Sequence, residues 1–129
     1  MLILLNDFYY IRSFDADDKT INAELEFNTE HDIFKGHFPA VPVVPGVCMM
    51  QIIQEMVEKL TMSAKRISNV QQMKFLTLIN PAITPGVHLS LSFTTTPGEV
   101  LQVTASLLND TVTYFKFRGE FVNEQSLSH

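Results

Sequence analysis

Only one stretch of this 129-residue chain has the make-up of a long helix, and most of the rest alternates with period two. From Gly46 to about Met62 there is no glycine or proline after the start, and Met, Gln, Glu and Leu dominate. Before it, Ile21, Ala23, Leu25 and Phe27 alternate with Asn22, Glu24, Glu26 and Asn28, the pattern of a half-buried strand. Asp15 to Lys19 reads as the turn of a hairpin formed by the first thirty residues. After the helix, Ile67 to Leu78 is a candidate strand. Val87, Leu89, Leu91 and Phe93 then alternate with polar neighbours, as do Leu101, Val103, Ala105 and Leu107. The last strand puts Phe115, Phe117, Gly119 and Phe121 on one face and Lys116, Arg118 and Glu120 on the other. Turns are expected at Asn80–Gly86, Pro97-Gly98 and Asn109-Asp110. About six strands with short connections form an antiparallel meander with one dry face, and the single helix must bury its apolar side there. The expectation is an α+β chain, one domain over residues 1–129, with a curved sheet wrapped around one helix.

Composition narrows the function. Apolar residues make up 46% and charged residues 18%, which suits a folded globular protein. A net charge of −5 with scattered basic residues argues against nucleic acid as the main partner. The apolar runs are too short to span a membrane, and Met1 to Leu5 is too short for a signal peptide and has no basic residue before it, so a cytoplasmic location is expected. The single cysteine, Cys48, rules out an internal disulfide and any zinc site built on several thiolates. No phosphate-cradling glycine pattern occurs, and no metal or redox cofactor is expected.

The segment Gly36-His37-Phe38-Pro39-Ala40-Val41-Pro42-Val43-Val44-Pro45-Gly46-Val47 runs straight into the helix. Three prolines in seven residues fix φ and remove donors, holding one extended path within a loop expected over residues 31–45. A histidine held this way is suited to proton transfer, which needs the base within hydrogen-bond reach of its proton. On the helix, Gln51, Gln54, Glu55 and Glu58 form a narrow polar stripe. Glu58 is expected to face water, and Glu55 and Lys59 suit an ordinary i,i+4 surface pair. Gln51 lies in the second turn among apolar neighbours and is expected to line a cavity or a subunit interface. Met49, Met50 and Met56 read as core, with thioethers that would also suit an acyl-chain tunnel.

These residues together resemble the 3-hydroxyacyl-acyl-carrier-protein dehydratases, members of the hot-dog fold. The likeness is strongest from His31 to Glu55, through Gly36-His37-Phe38-Pro39, Pro42 and Pro45-Gly46-Val47. It continues weakly through Met73-Lys74-Phe75, Pro81 and Pro85–Leu89. The resemblance implies a dimer with sites between subunits, a histidine coming from one chain and an acidic residue from the partner's central helix. His37 matches the base. Gly46 or Val47 matches the backbone amide that polarises the thioester oxygen, and Phe38 and Pro45 fall beside them in the substrate-binding segment. His31, His88 and His129 lack such a context and read as structural or exposed.

The chain departs from the family at one position. Fourteen residues after His37 the family carries glutamate or aspartate, and here stands Gln51. Glutamine can hydrogen-bond a hydroxyl but cannot donate a proton at neutral pH. Three expectations follow. The chain is a dehydratase in which Gln51 positions the leaving hydroxyl, with proton delivery by His37 or through water from Glu55. Alternatively, the pocket hydrolyses or simply binds acyl thioesters. In the third, a related subunit supplies the missing carboxylate in a heterodimer. The substrate carrier would be acyl-carrier protein or coenzyme A. Lys65-Arg66, Lys74, Lys116 and Arg118 are candidates for docking an acidic carrier.

Overall fold

The computed structural model describes residues 3–36 and 42–124. Six strands, β1 (Tyr9–Ala16), β2 (Thr20–Phe27), β3 (Lys65–Phe75), β4 (Gly86–Thr96), β5 (Val100–Asn109) and β6 (Val112–Asn123), form one sheet in the order β1-β2-β4-β5-β6-β3. Every pairing is antiparallel. A short helix, α1 (Ile33–Gly36), precedes the long helix α2 (Gly46–Thr61).

The expected hairpin and meander are present, and their turns show why. Asp17 Oδ1 accepts from the amides of Lys19 and Thr20 at 2.8 Å each, closing the β1–β2 turn. These amides hold the Asp17 carboxyl below its ordinary range. In the three-residue β4–β5 turn, Glu99 N bonds to Thr96 O at 3.2 Å across Pro97 and Gly98, and Gly98 takes φ of 90°, a value that favours glycine at this position. β2, β4 and β5 alternate buried and exposed residues as their sequence pattern requires, and β6 buries Phe115, Phe117 and Phe121.

Two boundaries differ from the reading of the sequence. The loop expected over 31–45 contains the helical turn α1, in which Phe34 is buried and stacks on Phe8 with ring centroids 5.1 Å apart. An apolar anchor of this kind has no periodicity to signal it. β3 begins at Lys65 and ends at Phe75, so Leu76–Leu78 lie beyond it, where the amides of Leu76 and Thr77 bond to Tyr114 O.

Helix α2 buries Cys48, Met49, Ile52, Ile53, Met56 and Val57 in a core shared with the buried residues of the sheet. Its far end is tied to the sheet: Gln54 Nε2 donates to Lys65 O at 3.0 Å, and Lys65 N donates to Glu58 Oε2 at 2.9 Å. Glu58 is therefore half-buried and binds the start of β3, in place of the solvent-facing role expected of it. Lys65 is buried too, with its ammonium on Asn123 Oδ1, which removes it from the docking candidates. β3 and β1 are the edge strands of the sheet.

Candidate active site at the start of the central helix

Pro45, in extended conformation, is the N-cap of α2 and provides no side-chain cap. The first helical amides are therefore not consumed by a capping side chain, and the helix dipole adds partial positive charge there. A Cβ at Gly46 would stand 2.8 Å from the Phe75 ring, so a larger residue here would force that ring to shift. Phe75 in turn stacks on Phe115, with centroids 5.0 Å apart. The result is a cleft of about 280 Å³ lined by Val44, Gly46, Met49 and the segment Phe75–Leu78. Its surroundings are apolar and open: Val47 is 76% exposed, Leu78 75% and Phe75 52%. A backbone N–H at such a mouth can stabilise charge developing on a carbonyl oxygen.

One turn on, Gln51 lines a second cleft of about 290 Å³ with Ile3, Leu5, Glu55, Glu58 and Lys59. Glu55 is not a surface residue. It is only 9% exposed, and its carboxylate accepts four hydrogen bonds. Leu4 N and Gln51 Nε2 reach Oε2 at 2.7 and 2.9 Å, and Leu5 N and Tyr9 Oη reach Oε1 at 2.9 and 3.0 Å. Burial, and then the Glu55 charge and hydrogen bond, hold the Tyr9 phenol far above its ordinary range, so it stays a donor. Lys59, the expected surface partner of Glu55, instead lies 5.4 Å from the Phe14 ring centroid. The i,i+4 pair does not form because residues 3–9 cross the helix there and claim the carboxylate.

Gln51, Glu55, Pro45, Gly46 and Val47 thus lie along one helix, with Gln51 and Glu55 in direct contact. His37 and Phe38 lie outside the described residues, as does His129. His31 is pinned structurally: Nε2 sits 3.1 Å from Asp7 Oδ2, Nδ1 accepts from Ile33 N, and the ring meets Phe8 edge-on. His88 spans Glu24 and Asn22 on the exposed sheet face. Burial pushes the Cys48 thiol above its usual value, which disfavours thiolate chemistry. Among the described residues no group of three or more His, Cys, Asp or Glu could hold a metal, and no helix is long and apolar enough to cross a membrane. The reading of the sequence missed Tyr9 and the amides of Leu4 and Leu5. They reach Glu55 across more than forty residues of chain, and no local pattern marks such a contact.

The model of a protein family described as ApeI-like, ApeI dehydratase, matches residues 13–105. The chain belongs to this dehydratase family. No individually curated protein matches the sequence. Among solved structures, this ApeI-like chain is similar to the dehydratase heterocomplex ApeI:P from Xenorhabdus doucetiae. The TM-score is 0.65 at 19% identity, over 88% of this chain and 96% of that one. It also resembles an uncharacterized protein from Erwinia carotovora subsp. atroseptica, with a TM-score of 0.57 at 18% identity over 89% and 94%. At these identities the likeness is one of fold, and it agrees with the hot-dog architecture of six antiparallel strands around a helix.

Proposed function

We propose that this ApeI-like chain is a subunit of a 3-hydroxyacyl-thioester dehydratase that gives the trans-2-enoyl thioester. The observation that carries the reading is the start of α2. An uncapped helix terminus opens beside an apolar cleft, in a chain of a dehydratase family. His37 takes the proton from the carbon next to the thioester carbonyl, and the electron pair moves onto the carbonyl oxygen. The N–H of Gly46 or Val47 stabilises that oxyanion, and Phe38 and Pro45 belong to the substrate-binding segment. As the enolate collapses, the C–O bond to the β-hydroxyl breaks. The imidazolium at position 37 returns its proton to the departing hydroxyl, which leaves as water.

Gln51 does not supply that proton. Nor does Glu55 suit the task, since every hydrogen bond described at its carboxylate is donated to it. Losing a dedicated acid typically costs about 10²–10⁴ in rate, so the chain alone turns over slowly. A second subunit supplying a carboxylate restores the rate. The heteromeric assembly of the similar Xenorhabdus structure supports this pairing, as does the exposed apolar surface of Val47, Met73, Phe75 and Leu78 beside edge strand β3. Lys74 and Lys116 are direct cross-strand partners on the exposed sheet face, with Arg118 two residues along β6. Like charges so placed are unfavourable alone and suit an acidic carrier protein.

The test is to assay the purified chain with 3-hydroxyacyl and trans-2-enoyl thioesters in both directions, together with His37→Ala. Slow interconversion, abolished by the substitution, is expected. Release of free acid as the main product would replace dehydration by hydrolysis.

A further inference from the structure

The contact between Gln51 and Glu55 decides which polarity the site presents. In a primary amide Nε2 only donates and Oε1 only accepts. Gln51 Nε2 lies 2.9 Å from Glu55 Oε2, so the Gln51 oxygen is turned away from the carboxylate; the flipped amide would set two acceptors against each other. The carboxylate itself cannot swing to accommodate a flip. Leu4 N, Leu5 N and Tyr9 Oη hold it from the side of the N-terminal segment, and Tyr9 is locked as a donor. Bonds to a charged acceptor are also the stronger class.

We propose that Glu55 is a positioning residue that makes Gln51 selective for a hydroxyl at carbon three of the acyl thioester. The ligand hydroxyl donates to Gln51 Oε1, whereas a 3-oxo group, which only accepts, finds an acceptor in its place. This rests on the thioester reading above. Gln51 makes a further interaction within the chain, and its carbonyl oxygen, with two lone pairs, accommodates a ligand donor alongside it. The arrangement binds the hydroxyl without helping it depart, which fits a subunit that recognises substrate better than it converts it. The segment 3–9 thereby becomes part of the site, acting through Glu55.

Calorimetric binding of 3-hydroxybutyryl-pantetheine and 3-oxobutyryl-pantetheine to the full chain tests this. The chain is expected to prefer the hydroxy compound by about five- to tenfold, the worth of one hydrogen bond. Glu55→Gln removes the charge that orients the amide, and the ratio should fall to within about twofold, while Gln51→Leu should abolish it. A purely structural Glu55 would weaken both ligands equally and leave the ratio unchanged, which overturns the proposal. If Glu55→Gln does not fold, the side-chain amide of Gln51 in the native chain provides the readout, identified in nitrogen-15 spectra by its loss in Gln51→Leu. One slowly exchanging, downfield amide proton supports the fixed orientation; a freely rotating pair overturns it. Equal binding of the two ligands by the native chain sinks the proposal but spares the thioester reading. Binding of neither ligand removes both.

Discussion

Replacing Gln51 with glutamate should rebuild an acid, and the structure says why it would carry its proton. The introduced carboxyl would meet Glu55 at about the 2.9 Å that now separates Gln51 Nε2 from Glu55 Oε2. Two carboxylates ~3 Å apart repel by ~5 kcal/mol at an effective dielectric of ~20. At 1.36 kcal/mol per unit this bounds the rise at ~4 units, and the half-buried position of residue 51 brings it to ~2–3. From an ordinary value of ~4.3, the introduced group would then titrate near ~6–7 and remain protonated up to near-neutral pH. Its folded value lies above its unfolded value, so its contribution is fully present below pH ~4.3 and is lost as pH rises through ~6–7. Gln51→Glu should therefore match the native chain in urea unfolding only near pH ~4 or below, lose ground as pH rises, and be weaker by ~3 kcal/mol near pH ~8.5. In parallel, hydration of a trans-2-enoyl thioester should rise by about 10²-fold or more, on the acidic side of that transition. A variant whose stability tracks the native chain across this range would refute the contact, and with it the claim that Glu55 controls position 51.

Further outcomes test other parts of the account. Tyr9→Phe removes one donor from a buried carboxylate and should lower unfolding free energy by about 1.5–3 kcal/mol in urea titration, with little change in m. Gly46→Ala places a methyl 2.8 Å from the Phe75 ring. It should cost about 1–3 kcal/mol of stability by overpacking and weaken thioester binding measured by calorimetry. Lys116→Glu reverses one charge of the Lys74–Lys116–Arg118 cluster. It should raise KM for a carrier-protein substrate several-fold while leaving a pantetheine substrate unaffected; equal effects on both would remove the docking surface.

What could be read in the sequence was what local pattern encodes. Period-two alternation in Ile21–Phe27 and Val87–Phe93 located strands and their buried faces, and the Gly46–Met62 composition located the helix, because both follow from which side chains face the core. Turn residues such as Asp17 and Gly98 act within two or three residues, so their roles were legible as well. Glu55 was misjudged for the opposite reason. Its spacing from Lys59 describes a surface pair, but the backbone of Leu4 and Leu5 and the Tyr9 phenol decide its environment from the far end of the chain. Lys65, an apparent docking cation, is buried through packing against Asn123 that its local sequence does not reveal. Phe34 was hidden inside a proline-rich loop because a single aromatic anchor carries no period. At the site, the glutamine at position 51 was visible as a departure from the dehydratase pattern. Its partner was not.

The central claim is that His37 and the first amides of α2 together remove a proton beside a thioester carbonyl. Exchange at that carbon in deuterium oxide tests it most directly, because exchange needs only the base and the oxyanion-binding amide and not the absent acid. With a 3-hydroxyacyl thioester followed by proton NMR, the purified chain should wash deuterium into that position faster than it forms enoyl product, and His37→Ala should not. Turnover to product with no exchange, or exchange undiminished in His37→Ala, would contradict the account.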